Sequence, residues 1–147
     1  MFTQLPNDFV KLQAPPYNID IMDQVHELAL CLLTGKVVRF TPKKNKSLPN
    51  YKKHVKSALC GTFTPFLMLT GRLATSVSIY MHSFNKSYKA NDIYIDDFGE
   101  NDIGITRGLP LKLSADRLLR LLESLLSGDW IDANADDFVP PRIVRNL

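Results

Sequence analysis

The sequence is short of several things, and each shortage narrows the field. No apolar run approaches the roughly 18 residues that a membrane-spanning helix requires; the longest, "LALCLLTG" at 28–35, is far below it. The opening "MFTQLPNDF" carries an acid and no basic stretch leading into an apolar one, which argues against a secretory signal and places the protein inside a cell. Two cysteines, Cys31 and Cys60, make no disulfide framework and no Cys/His ligand spacing, and both fall in apolar segments where free buried thiols are expected. Three histidines, His26, His54 and His82, are scattered along the chain. No nucleophile elbow, phosphate-cradling glycine loop or His-x-x-x-His pair accompanies them, so the sequence offers no catalytic residue, resident metal or cofactor.

The most telling shortage is of negative charge. Between Glu27 and Asp92 there is no acid, while Lys36, Arg39, Lys43, Lys44, Lys46, Lys52, Lys53, Lys56, Arg72, Lys86 and Lys89 are all cations. The net charge of +3 therefore hides a cationic middle between anionic flanks. Like charges at this density repel, and a compact fold tolerates them best when an anion meets them. The densest part is "KKNKSLPNYKKHVK", 43–56, with six lysines.

The 147 residues, 45% hydrophobic and 22% charged, suit one folded domain with a real core. Residues 1–19, with Pro6, Pro15 and Pro16, read as an extended lead-in segment. Asp20 suits a helix cap, Ile21, Val25, Leu28 and Leu32 recur at helical spacing, and Gly35 ends the run, which predicts a deeply buried helix over 21–34. "KVVRF", 36–40, reads as a strand. A second helix is predicted over 48–60, with Pro49 in its first turn. Tyr51, Val55, Ala58 and Leu59 would lie on its inner side, and Lys52, Lys53 and Lys56 on its outer side.

Leu73, Thr75, Val77, Ile79 and Met81 alternate with smaller or polar residues, as a half-buried strand requires, and Thr70-Gly71 suits the turn before it. Ile93 and Ile95, then Ile103 and Ile105, flank a polar connector and predict a further hairpin. The third helix is the clearest, over 115–127: Ser114 caps it, Leu118, Leu121, Leu122 and Leu125 form its stripe, and Gly128 stops it. Residues 129–147 are an acidic, proline-interrupted tail. The expected architecture is a single α+β domain over 20–128, a mostly antiparallel sheet of four to five strands with three main helices.

Three short stretches resemble known elements. "YIDD", 94–97, is similar to the polymerase hairpin in which paired aspartates hold metal ions, but it lacks the third carboxylate, and a turn is the simpler reading. Asp96, Asp97, Glu100 and Asp102 are the residues a metal-dependent nuclease would use here. "APPY", 14–17, resembles the proline-rich late-domain segment of viral matrix proteins, with Ala14 where the first proline would stand. "ADDFVPP", 135–141, resembles the acidic docking tails of single-strand-binding proteins.

Function follows from the charge. The basic loop runs into a helix N-terminus, where unpaired N–H groups also favour phosphate. The first expectation is a non-enzymatic nucleic-acid-binding protein of a kind viruses and mobile elements encode, using Arg39, Lys43, Lys44, Lys46, Lys52, Lys53, Lys56 and Arg72. Lysine acts as a point charge, so sequence preference would be weak. Phe40, Tyr51, Tyr80, Phe84 and Tyr88 would have to be exposed to stack on bases. The alternatives are a viral matrix-type protein binding anionic membrane and nucleocapsid, and a small inhibitor or immunity-type protein that docks on an acidic protein target. Homo-oligomers would form by the acidic tail meeting the basic face.

Overall fold

The computed structural model describes residues 2–14, 17, 27–40, 50–58 and 63–127. Its centre is an antiparallel sheet of β1 (Leu28–Cys31), β2 (Val37–Arg39), β3 (Phe63–Met68), β4 (Val77–Met81) and β5 (Lys86–Ala90), in the order β2-β1-β3-β4-β5. Side chains alternate between two cores. Leu28, Leu30, Leu67, Val77 and Ile79 enter one. Ala29, Cys31, Val38, Phe66, Met68 and Tyr80 enter the other. The sheet is α+β in the expected sense, with five strands in the main sheet.

The helix expected over 21–34 is not what its second half forms. Leu28–Cys31 is a strand buried on both faces, and a turn through Gly35 carries the chain into β2. A continuous apolar run fits a helix and a two-sided strand equally well, and only pairing decides between them. Gly35 is a hairpin residue instead of a helix stop: its φ is +77°, and its N–H donates to the Cys31 carbonyl at 2.8 Å. Asp20 and residues 21–26 lie outside the described residues, as do Cys60, His26, Gly128 and the 129–147 tail.

Pro65 sits in the central strand β3, a place that normally excludes proline because it cannot donate to the ladder. The register Cys31↔Phe66 sets Leu32 opposite Pro65, and the Leu32 N–H donates to the Pro65 carbonyl at 3.0 Å. The return bond is missing, and the Thr3 N–H fills its place by donating to the Leu32 carbonyl at 2.6 Å. The lead-in segment thus completes the ladder that proline interrupts.

One face of the sheet is covered by α1 (Tyr51–Ala58), which inserts Tyr51 and Val55 among Phe40, Phe66 and Tyr80. The other is covered by three pieces: a 3₁₀ turn, Phe9–Gln13, bringing Phe9 and Leu12; the segment of Ile93, Tyr94 and Leu111; and α2 (Ala115–Ser127), bringing Leu121. α2 forms over the span its stripe predicts, and Ser114 Oγ accepts the Arg117 N–H at 3.2 Å as its cap. These are the two α-helices among the described residues, and neither is long and apolar enough to cross a membrane.

A second, two-stranded sheet pairs β6 (Tyr94–Ile95) with β7 (Lys112–Leu113). The expected hairpin between 93–95 and 103–105 does not form. Ile103–Ile105 is a short 3₁₀ turn, and the connection between the paired strands runs from residue 96 to 111. The extended segment at Asn7–Phe9 lines the other side of β7, with the Leu113 N–H donating to the Asn7 carbonyl at 2.8 Å and the Phe9 N–H to the Leu111 carbonyl at 3.0 Å.

The predicted 73–82 strand begins only at Val77. Residues before it form the turn from β3, in which Thr75 holds φ +79°. A β-branched residue there is strained by roughly 1–3 kcal/mol. It is pinned by its N–H on the Met68 carbonyl at 2.8 Å and its hydroxyl on the Asp102 carbonyl at 3.3 Å.

Candidate functional site

The expected lysine helix exists, shorter than predicted. Asn50 Oδ1 accepts the Lys52 N–H at 2.9 Å and caps the first turn, so the helix begins at Tyr51. Eight residues at helical spacing then divide by face. Tyr51, His54 and Val55 are buried, while Lys53 and Lys56 are exposed. Lys52 is half-buried with its Nζ 6.0 Å from the Tyr51 ring centroid, and burial lowers its pKa.

His54 belongs to the inner side. Its Nε2 lies 3.0 Å from Thr34 Oγ1, and burial, followed by the nearby Lys36 charge, lowers its pKa. A neutral imidazole adds nothing to anion attraction.

The other predicted site residues are distributed as follows. Arg39, half-buried, ends β2 and forms a bridge with Asn50, beside the start of α1. Arg72 is exposed on the β3–β4 turn, whose neighbour is the Ile103–Ile105 turn: the Gly104 N–H donates to the Ala74 carbonyl at 2.8 Å. Lys43, Lys44 and Lys46, with Pro49, lie outside the described residues. The structure therefore brings together Lys52, Lys53 and Lys56, with Arg39 near the helix start.

The aromatic residues proposed for stacking are mostly core. Phe40 and Tyr51 stack with centroids 4.1 Å apart, Phe66 and Tyr80 meet Tyr51 edge-on, and all four are fully buried. Tyr88 is half-buried. Phe84 is 65% exposed on the 3₁₀ turn His82–Phe84, which packs against α1.

Two of the four carboxylates in 96–102, Asp96 and Asp102, are committed to the protein's own backbone, while Asp97 and Glu100 are exposed. Asp96 Oδ1 accepts the N–H groups of Phe98 at 2.8 Å and Glu100 at 2.9 Å, while its Oδ2 meets the Arg107 guanidinium at 3.1 Å. Asp102 accepts the N–H groups of Thr106, Arg107 and Gly108, at 3.0–3.1 Å. Burial opposes its charge, but these N–H groups, the Thr106 hydroxyl and the Arg107 guanidinium outweigh it and hold the carboxyl below the usual carboxylate range. Arg117 adds a second brace, donating to the carbonyls of Asp92 and Gly99 at 3.2 Å.

"YIDD" is thus the entry to a turn. Among the described residues no group of three or more His, Cys, Asp or Glu side chains is disposed to hold a metal ion. The sequence reading missed this bracing. Its signal was the aspartate set ahead of a glycine, Asp96 before Gly99 and Asp102 before Gly104 and Gly108, since such side chains bond backbone N–H groups a few residues on.

Asp92 contrasts with them. It is buried, Asn101 Nδ2 donates to its Oδ2, and its Oδ1 has no partner among the described residues. Burial raises its pKa, against the smaller opposing effects of Asn101, Lys89 and Arg117.

No curated protein and no solved structure matches the chain. A family model described as Proteolysis_6 C-terminal matches residues 2–127, from the segment that completes the β1–β3 ladder to the last residue of α2. With the match taking in every element of the fold, the chain belongs to the Proteolysis_6 C-terminal family.

Proposed function

We propose that this chain is a non-enzymatic binding domain serving proteolysis, and that the outer face of α1 meets an acidic segment of a protein partner. The observation that carries the reading is the division of α1: Lys53 and Lys56 stand in solvent on a helix whose other side is locked into the core. Cations on a rigid element lose little freedom on binding and set partner choice by charge. The name of the family supports the setting in proteolysis. The burial of Phe40, Tyr51 and Tyr80 favours a partner recognised by charge over one recognised by stacking.

A second reading keeps nucleic acid as the anion on the same face. It is favoured by Phe84, whose exposed ring lies on the turn beside α1. Engagement of roughly five to seven cations by a single strand gives a log-affinity against log-salt slope of about −3.5 to −5.

Fluorescence anisotropy with a labelled glutamate-rich peptide, a labelled oligonucleotide and anionic vesicles separates the partners. The expected result is peptide binding that weakens about tenfold in a Lys53→Glu/Lys56→Glu variant. Tighter oligonucleotide binding with the steep slope transfers the function to nucleic acid. Preference for vesicles transfers it to a membrane surface, and no binding in any arm refutes the assignment of this face.

A further inference from the structure

α2 carries more leucine than its place in the fold uses. The core beneath it takes Leu121, with Leu118 and Leu125 packed alongside. Leu122, which the periodicity sets in the same stripe, is half-buried and is not among the residues packed on that core. Leu119 is 55% exposed and Leu126 80%.

These outer residues are ordered. Ala115, Leu119, Leu122 and Leu126 follow one another at intervals of four, three and four. At 3.6 residues per turn that confines them to a sector of about 60°. The spacing is the a/d seam of a coiled coil, narrower than the stripe a helix turns toward a globular core. α2 therefore has two apolar faces, and the described residues cover one of them.

Charge beside the seam selects the occupant. On one side lie the core leucines, and on the other, a step further round the helix, stand Asp116 and Glu123, both exposed. Asp116 is held by Arg120 at 3.2 Å, whereas Glu123 makes no ion pair among the described residues. A second copy of α2 laid antiparallel along the seam would set these carboxylates against their own counterparts. A parallel copy would set them against Leu118 and Leu125, which are already packed on the core. An anionic membrane surface is repelled by the same carboxylates. The complement is a helix with a leucine seam of its own and cations along its flank.

We propose that the outer face of α2 docks an amphipathic helix of another protein, which seats its apolar seam on Leu119, Leu122 and Leu126 and sets a lysine or arginine against Glu123. The apolar anchors give affinity, and the flanking charges set partner choice. This face lies across the sheet from α1.

The test is amide chemical-shift mapping of the whole chain with an acetylated, amidated peptide of three tandem Leu-Ala-Ala-Leu-Lys-Ala-Lys heptads, whose flanking lysines keep it from pairing with itself. Saturable shifts centred on residues 115–127 are expected. Leu119→Asp and Leu126→Asp should each weaken binding by at least about tenfold. Glu123→Lys should weaken it several-fold, and the same peptide with glutamate for lysine should bind the parent more weakly. Lys53→Glu should leave it unchanged, so the outcome is independent of the α1 reading. The proposal is overturned by the absence of saturable shifts, by indifference to both leucine variants, or by tighter binding of the glutamate peptide. Shifts at 115–127 that appear on concentrating the chain alone, or with anionic vesicles and not with the peptide, overturn it in favour of a second copy or a membrane.

Discussion

Three tyrosines, Tyr51, Tyr80 and Tyr94, are buried to the same degree, yet replacement of each by phenylalanine is expected to act with different sign. Tyr51 stacks on Phe40 and meets Phe66 and Tyr80 edge-on, and phenylalanine keeps all of those contacts. Its hydroxyl is buried and has no hydrogen-bond partner among the described residues. An unsatisfied buried hydroxyl costs about 1–3 kcal/mol. Taking it away also forfeits some packing, so Tyr51→Phe should stabilise by about 1 kcal/mol, or about 2–4 °C in Tm for a domain of this size.

Tyr94 is the opposite case, because its hydroxyl donates to the Pro6 carbonyl at 2.6 Å. Tyr80 lies between, donating to Asn85 Oδ1 at 3.1 Å near His82 Nδ1. Each of these replacements should destabilise by about 0.5–1.5 kcal/mol. Burial, then the neighbouring Tyr80, raises the Tyr51 pKa, so its contribution is present below the ordinary tyrosine range and lost as pH rises above it. Tyr51→Phe should therefore also flatten the alkaline limb. Urea denaturation of the three variants at neutral pH and at high pH is the assay. A Tyr51→Phe variant less stable than the parent by more than about 0.5 kcal/mol would refute the reasoning, since it would require the hydroxyl to have a partner.

Burial raises the Asp92 pKa, so its stabilising contribution is complete below the usual carboxylate range and disappears as pH rises through the raised value; Asp92→Asn should be more stable than the parent at neutral pH and show a flatter profile across mildly acidic pH. A Cβ at Gly35 would approach Thr3 Oγ1 to 2.8 Å at a φ of +77°, so Gly35→Ala should cost more than about 1 kcal/mol, and Thr3→Ala in the same chain should restore only the steric part. Leu121→Ala removes a buried anchor of α2 and should cost about 2–5 kcal/mol in chemical denaturation. Leu126→Ala, at a site 80% exposed, should change stability by less than about 0.5 kcal/mol.

Periodicity carried the parts of the fold where one face meets water. α2 and the sides of α1 follow from such patterns, except that Lys52 is half-buried and not outward, while the strand at Val37–Arg39 was legible from its β-branched and aromatic residues. It failed at "LALC", because a segment buried on both faces has no polar phase from which to read its period. It failed again at Ile103 and Ile105, where the alternation is present but the Ile105 N–H goes to the Asp102 carbonyl and the Ile93 carbonyl is taken by the Ser114 N–H. The outward lysines of the candidate surface were legible from charge and helical phase alone. The pairing of Asn7 and Phe9 with residues 111–113 was not, since these partners lie about a hundred residues apart in the chain.

That ladder also bears on when the molecule can assemble. The Asn7 and Phe9 backbone waits for residues 111–113, and Thr3 for the β1–β3 pairing it completes. Residues 7–9 are synthesised long before residues 111–113, and closing them together carries the loop entropy of nearly the whole domain. Refolding should accordingly be slow for the domain's size, with protection at Phe9 arriving together with that of Leu113 and not ahead of it, and protection at Thr3 following the β1–β3 pairing.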